Sequence, residues 1–364
     1  MRVIFAGGGT GGHINPAISV ADYVKSKEND FSALFIGTES GLEKQLVPNA
    51  GYDIKYIDIE GFDRRHILKN VSVVQKLLRS RSDCRRIIRE FKPDCVVCTG
   101  GYVSGPVAMA AYKEGIPALI HEQNVYPGLT VKGAQKYVRY LALSFDETIN
   151  FIKAKDKCVV TGNPIRSEIL TADREQSRKQ LGINKPFVLI FGGSLGADRI
   201  NETVIAMLPM IKKNGNIKLL FGTGERNYEK ISKEVEERGF SDDNIEIVPY
   251  INNMAQAMAA ADIVVSRSGA ITVSEIAALG KPAILIPSPN VVRNHQEQNA
   301  REFERIDAAE VISESELLPD ALYDRIVQMS GDKERLEKMS QNLKKIAKTD
   351  ALDRIYQLIY KMTR

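Results

Sequence analysis

Three clusters of polar residues follow apolar runs at places where side chains could do chemistry. His13 closes the glycine run AGGGTGGH, His121 and Glu122 open HEQN, and His295 stands in RNHQEQN. The chain has only four histidines, the fourth being His66, so three of them at predicted strand ends form a pattern. An imidazole titrates near neutrality and suits general acid–base work. The glycines before His13 let a ligand approach the backbone, and a helix starting behind them offers amides and a positive dipole end. A second run, FGGSLGA (191–197), has the same layout. Both loops are therefore candidates for holding phosphate or pyrophosphate; the bland alternative is a tight turn with no ligand. Gly7, Gly9 and Gly12 satisfy GxGxxG, but any glycine-dense loop does. The ribose-binding acid of a nicotinamide site is represented only by a loosely placed Glu39. No GxxxxGK[ST] occurs, which excludes a P-loop.

These motifs need elements to position them. Short apolar runs at 2–6, 33–37, 54–59, 94–98, 117–121, 139–143 and 158–161 read as strands, with helical stretches between them. After a helix near 173–181 the pattern restarts with KPFVLIFGGSLGADRINETV (185–204), read as strand, glycine loop and helix, and strands follow at 217–221, 244–248, 262–265, 283–287 and 308–311. Apolar strands alternating with helices predict α/β architecture: two doubly wound parallel sheets, each opening on a glycine loop. In such sheets ligands bind beyond the carboxyl ends of the strands. GNPIR (162–166) reads as the connection, and a last helix over 350–362 is expected to pack back across the junction.

The bulk properties fit this picture. A chain of 364 residues exceeds one ordinary core, and 43% hydrophobic with 26% charged residues suits a globular protein. No apolar run is long enough to span a bilayer, and the N-terminus has no signal-peptide layout, so a cytoplasmic protein is expected. Cys95 and Cys98 form a CxxC inside DCVVC, a predicted buried strand; with no second pair nearby, all four cysteines read as small hydrophobes.

Several longer stretches belong together: GGGTGGHINPA (7–17), GGYVSGPVAMAAYKEGIPALIHEQN (100–124), PGLT (127–130), GNPIR (162–166), GGSLGA (192–197), VVSRSGAITVSEIAALGKPAILIP (264–287) and NHQEQNA (294–300). In content and order this set, covering residues 1 to about 310, resembles the bacterial peptidoglycan glycosyltransferases of GT-B family 28. The resemblance implies a GT-B fold, two Rossmann-like domains facing a cleft. Residues 1–162, with the helix at 347–364 packing back on them, would be the acceptor and membrane-facing domain, and 163–346 the UDP-GlcNAc domain. It implies inverting transfer of GlcNAc from UDP-GlcNAc to the 4-hydroxyl of undecaprenyl-pyrophosphoryl-MurNAc-pentapeptide (lipid I), giving lipid II.

Residue by residue, Ser268, Gly269 and Ala270, running into Ile271, Thr272, Val273 and Ser274, look like the nucleotide motif. Glu275 matches the carboxylate that accepts the ribose hydroxyls; by spacing alone it reads as a surface helix carboxylate. Ile251 matches the uracil position, Gln296 the glutamine that reads the GlcNAc hydroxyls, and Asn124, Arg166 and Ser194 further donor-site positions. Thr10, Gly11 and Gly12 match residues that approach the donor, and Tyr102 matches a site tyrosine. His13 stands in the position of a general base, with His121 or Glu122 as alternatives. There is no convincing DxD motif, and the nearest stretch, Asp58-Ile59-Glu60, lies outside the motifs; neither metal nor cofactor is expected.

Residues 62–92 hold ten basic and three acidic residues within a net charge of +4. Ile67, Val71, Val74 and Leu78 recur at helical spacing amid Arg64, Arg65, Lys69, Lys76, Arg79, Arg81, Arg85 and Arg86. This stripe reads either as core-facing or as contact with an anionic membrane surface through residues 64–89. The resemblance favours the second, with the protein peripheral on the cytoplasmic face of the bacterial membrane and cell-wall synthesis proteins as further partners. Nucleic acid is not expected, since the segment lacks stacking aromatics. The competing readings are a GT-B transferase with another lipid acceptor, a UDP-GlcNAc 2-epimerase, a dehydrogenase, and a non-catalytic UDP-sugar-binding protein.

Overall fold

The computed structural model describes residues 1–61, 70–193, 196–291 and 294–364, and side chains in α3 from residue 75 onward. Ser194, Arg64, Arg65, Ile67 and Lys69 lie outside the described residues, as do the side chains of Val71 and Val74. The chain divides into two compact units, Met1–Ile165 with Lys348–Arg364, and Arg166–Ala347.

In chain order the elements are β1 (Arg2–Gly7), α1 (Gly11–Lys27), β2 (Ser32–Gly37), α2 (Glu43–Asn49), β3 (Asp53–Tyr56), α3 (Asn70–Phe91), β4 (Cys95–Gly100), α4 (Gly101–Lys113), β5 (Ala118–Glu122), α5 (Leu129–Ala134), β6 (Tyr140–Leu143) and β7 (Cys158–Val160). The second unit contains α6 (Ser167–Leu170), α7 (Arg174–Gln180), β8 (Phe187–Phe191), α8 (Asp198–Asn214), β9 (Lys218–Gly222), α9 (Glu225–Glu237), β10 (Ile245–Val248), α10 (Met254–Ala260), β11 (Ile263–Ser266), α11 (Ala270–Leu279), β12 (Ala283–Leu285), α12 (His295–Arg305), β13 (Ala309–Val311), α13 (Pro319–Gly331) and α14 (Lys333–Ile346). Helix α15 (Ala351–Met362) returns to the first unit.

Among the described residues the strands form two parallel sheets, ordered β3-β2-β1-β4-β5-β6-β7 and β10-β9-β8-β11-β12-β13. Each is Rossmann-like, and each reverses direction once, between β1 and β4 and between β8 and β11. The glycine motifs leave the ends of these four strands, so each unit brings two of them to its topological switch point, where α/β sheets bind ligands.

Strand alternation sorts the first core into two layers. Ile4, Ala6, Val96, Cys98 and Ile120 face α3, α4 and α5, whereas Val3, Phe5, Cys95, Val97 and Leu119 face α1 and α15. Burial pushes the Cys95 and Cys98 thiols up to about 12, so both remain protonated core groups. The second layer is closed by the returning helix: Ile355 and Ile359 are fully buried, Tyr356 donates to Glu28 at 2.6 Å and Tyr23 donates to Asp353 at 3.2 Å. Gly162, at φ +88°, lies so close to the start of this return that a Cβ would stand 2.5 Å from that of Lys348.

On α3 the buried face is Ser80, Cys84, Ile87 and Ile88, with Leu77 packed beside it, while Leu78 is 59% exposed. The described part of the predicted stripe therefore turns away from the core. No helix among the described residues is long and apolar enough to cross a membrane.

Ile359→Ala removes a fully buried branched side chain from the α1–α15 layer. It should destabilise the first unit by about 2–5 kcal/mol, read by denaturant unfolding with a probe in that unit; a loss below about 1 kcal/mol would show that α15 is dispensable to the core.

Candidate active site

At the first switch point the loops after β1 and β4 press against one another. The Thr99 hydroxyl donates to the carbonyl of His13 at 2.6 Å, and the Ser104 hydroxyl lies 2.9 Å from the carbonyl of Ala6 and 2.7 Å from that of Gly100. A Cβ on Gly101, at φ +74°, would stand 2.2 Å from the carbonyl oxygen of Gly8. One on Gly7 would stand 2.2 Å from the Thr99 hydroxyl, and one on Gly100 2.7 Å from Nδ1 of His13. These glycines are required by the protein's own packing. Gly11 and Gly12 differ: a Cβ there meets only ordinary contacts at 3.5 and 3.7 Å. The glycine run thus has a packed half and an open half.

Behind the loop is a carboxylate without a motif of its own. Glu43 is fully buried and accepts from the amide of Gly9 at 3.1 Å and from the amide and hydroxyl of Thr38 at 2.9 and 2.8 Å. Tyr102 borders Gly9 from the other side. Helix α1 begins after Thr10, which makes no side-chain cap, and neither α1 nor α4 has an acidic residue in its first turn. Helices usually favour carboxylates there, and these two first turns carry none.

His13 lies in the first turn of α1 and is partly exposed. Its Nδ1 is 3.1 Å from the carbonyl of Thr99 and 3.1 Å from Oε1 of Gln123. Desolvation holds its pKa below the ordinary histidine value, opposed by those two hydrogen bonds. The positive end of α1 acts in the same direction as desolvation.

The other two candidate bases are committed within the protein. His121 is buried, with Nε2 2.9 Å from the carbonyl of Gly162 and Nδ1 3.0 Å from Nε2 of Gln123. Burial lowers its pKa to about 4. Glu122 is buried and accepts from the amide of Asn124 at 2.9 Å, the side chain of Asn124 at 3.1 Å and the amide of Gly128 at 2.7 Å. It braces the loop that ends in PGLT. Gln123, which touches both histidines, was not a candidate by sequence.

In the second unit Gly193 and Gly196 take φ of +97° and +77°. Helix α8 has no side-chain cap but carries Asp198 in its first turn. Helix α11 has neither a cap nor a first-turn acid, and a Cβ on Gly269 would meet only Thr272, at 3.8 Å. The amides of Ala270, Ile271 and Thr272 lie in that open first turn. The helical period places Ala270, Val273 and Ile276 on the core side, and Val273 is fully buried; that side chain faces the core and not a ligand. The hydroxyl of Ser268 is committed to the carbonyl of Gln296 at 2.8 Å, and that of Ser274 to the carbonyl of Ala270 at 2.9 Å.

Glu275 is buried, not a surface carboxylate. Desolvation raises its pKa, and the Arg166 guanidinium opposes this with two bonds to Oε1, at 3.1 and 3.3 Å. Oε2 remains for another donor. Ile251 is buried on Gly222. Gln296 accepts at Oε1 from the amide of Ser288 at 2.9 Å, which turns its NH₂ elsewhere. No group of three or more His, Cys, Asp or Glu side chains among the described residues could hold a metal ion.

Two Rossmann-like units with parallel sheets are the architecture of the GT-B class. The chain belongs to glycosyltransferase family 28: the family's N-terminal domain matches residues 3–142 and its C-terminal domain residues 187–355. A protein of Acetivibrio thermocellus named UDP-N-acetylglucosamine–N-acetylmuramyl-(pentapeptide) pyrophosphoryl-undecaprenol N-acetylglucosamine transferase is 50% identical over 99% of this chain and 97% of its own. The crystal structure of MurG from Acinetobacter baumannii superposes with a TM-score of 0.79 at 28% identity, covering 99% of both chains. The UDP-GlcNAc 2-epimerase of Neisseria meningitidis, at TM-score 0.69 and 16% identity over 99% of this chain and 100% of its own, shares the fold.

The two halves of the glycine run should respond differently to substitution. Gly7→Ala should destabilise or misfold the first unit, whereas Gly12→Ala should fold with an unchanged melting temperature. Circular dichroism melts of the pair check this, and equal melting temperatures would refute the packed-versus-open division.

Proposed function

We propose that the chain transfers GlcNAc from UDP-GlcNAc to the 4-hydroxyl of undecaprenyl-pyrophosphoryl-MurNAc-pentapeptide, lipid I, making lipid II for peptidoglycan. The observation that carries this reading is 50% identity to an enzyme so named, sustained across 99% of the chain.

In this reading the second unit holds the donor. Amides at the start of α11, beside Ser268, Gly269 and Ala270, receive the diphosphate. Oε2 of Glu275 accepts the ribose hydroxyls, with Arg166 balancing the buried charge. The backbone at Ile251 reads uracil, and the NH₂ of Gln296 is directed to the GlcNAc hydroxyls. In the first unit the glycine-loop amides and the starts of α1 and α4 receive the acceptor pyrophosphate, with Tyr102 bordering it, while Thr10, Gly11 and Gly12 are the residues that approach the donor. His13 takes the proton of the muramoyl 4-hydroxyl. That oxygen attacks the anomeric carbon on the face opposite UDP, the bond to the β-phosphate oxygen breaks, and UDP leaves with the electron pair, inverting the configuration. Dipoles and hydrogen bonds carry the charge of the leaving UDP. His121 and Glu122 support the site from within.

We place the protein on the cytoplasmic face of the membrane as a peripheral protein, contacting anionic lipid through residues 64–89. Exposed Leu78 beside Arg79 supports this contact. Among the described residues four of its cations are already paired: Lys76 with Asp58 and Glu60, Arg85 and Arg89 with Glu114, and Arg86 with Asp83 and Glu90. The apolar contribution therefore weighs more than the number of basic residues suggests.

His13→Ala should lower kcat for transfer of labelled GlcNAc to a lipid I analogue by about 10²–10⁴-fold, with UDP-GlcNAc binding unchanged. Near-normal turnover would remove His13 as base; donor binding without product from the wild type would remove the acceptor assignment. Because burial lowers the pKa of His13, the acid limb of kcat/KM should lie below pH 6.5: activity is retained while the imidazole is neutral and falls as pH drops through its lowered pKa. Leu78→Glu should weaken binding to vesicles containing anionic lipid about tenfold or more in a sedimentation assay; unchanged binding would exclude that face.

A further inference from the structure

We propose that Gln123 is a positioning residue that fixes the tautomer of His13, through a hydrogen-bond chain anchored on the backbone carbonyl of Gly162. The inference rests on the reading of His13 as the base.

The proton positions follow from which atoms can only accept. Nε2 of His121 faces the Gly162 carbonyl at 2.9 Å, and a carbonyl cannot donate, so Nε2 carries the proton. Nδ1 of His121 then has a lone pair, and it accepts from the amide NH₂ of Gln123 at 3.0 Å. The same NH₂ donates to the carbonyl of Thr99 at 2.8 Å. Flipping the amide would aim its oxygen at two acceptors, so the orientation is determined. Oε1 of Gln123 is thereby presented to Nδ1 of His13 at 3.1 Å, beside the Thr99 carbonyl at the same distance. Two acceptors facing Nδ1 require the proton there. The lone pair of His13 is left on Nε2, the nitrogen that must take the substrate's proton.

Gln123 acts together with the Thr99 carbonyl, which also accepts from Nδ1 of His13. Were His121 protonated on Nδ1, the Gln123 amide would be pulled to turn over, setting its oxygen against the Thr99 carbonyl and its NH₂ against Nδ1 of His13. The groups facing His13 are the Thr99 carbonyl on β4, the Gly100 backbone at the start of α4 and the Gln123 amide after β5. None of these is charged. His121, the other titratable member of the chain, remains neutral down to about pH 4. The anchor lies in GNPIR, the segment through which the chain leaves the first unit. Asn163 reinforces it by donating to the carbonyl of Gln123 at 3.0 Å and accepting from Ser144 at 2.8 Å.

The test is ¹⁵N NMR of imidazole-labelled full-length protein, with steady-state kinetics of Gln123→Leu and Gln123→Glu. In the wild type, neutral His13 should be protonated on Nδ1. Gln123→Leu should give a mixture of tautomers and lower kcat about 10–100-fold, with KM for UDP-GlcNAc within about twofold. Gln123→Glu keeps an acceptor toward His13 but adds a negative charge, so the acid limb of kcat/KM should move to higher pH. Protonation of His13 on Nε2 in the wild type would overturn the proposal, and this measurement does not depend on either variant folding. Unaltered tautomer ratios and pH profiles in both variants would also overturn it. If His13→Ala retains turnover while the wild type shows the Nδ1 tautomer, the base assignment falls and the relay stands.

Discussion

The first unit is organised by the contact of two loops that leave neighbouring strands. Gly8 and Gly101 meet backbone to backbone, and the Thr99 and Ser104 hydroxyls bond the carbonyls of His13 and Ala6 on either side of the facing loop. This contact brings the start of α1 beside the start of α4, seats Tyr102 on Gly9 and places Thr99 where its carbonyl meets His13. A methyl group at Gly101 would separate the loops and disperse all of these. Chemistry at the switch point therefore depends first on steric exclusion, and only then on the imidazole.

Charge is distributed around that contact in a consistent way. Glu43 lies behind the loop and uses the amide of Gly9, while the first turns of α1 and α4 carry no carboxylate. The negative charge is buried at the back, and the positive helix ends remain open at the front. In the second unit α11 repeats this arrangement, whereas α8 places Asp198 in its first turn and gives up part of its dipole to its own side chain. The two glycine loops look alike in sequence but differ electrostatically.

Most strands were legible within one or two residues, because strands covered on both faces are apolar throughout and end at glycine or proline. The third was read as 54–59 and pairs over Asp53–Tyr56; Ile57 and Ile59 continue the apolar alternation, but they are buried beyond the ladder. The glycine motifs, His13 and His121 were legible as positions at the ends of strands. Their roles were less legible. Whether a glycine makes room for a ligand or for another loop depends on a partner some ninety residues away. Gln123 gave no signal, being one polar residue among four in HEQN, and Glu43 belonged to no motif. Glu275 looked like a surface carboxylate because a helix position does not reveal that Arg166 will cover it. On α3 the spacing could not say which face met the core; of the described residues Leu77 turns inward and Leu78 outward.

The return of α15 to the first sheet also governs how the protein is made. Phe5, Val97 and Leu119 pack on a layer that includes Ile355 and Ile359, so residues near the start wait for residues near position 360. At roughly 5–20 residues per second, a ribosome spends on the order of ten to forty seconds on the intervening second unit. During that interval one face of the first sheet lacks the part of its cover that α15 supplies, and the second unit completes its sequence before α15 is made. The later unit can thus finish folding before the earlier one, and until the last helix emerges the nascent chain leaves uncovered the apolar surface that Ile355 and Ile359 will bury.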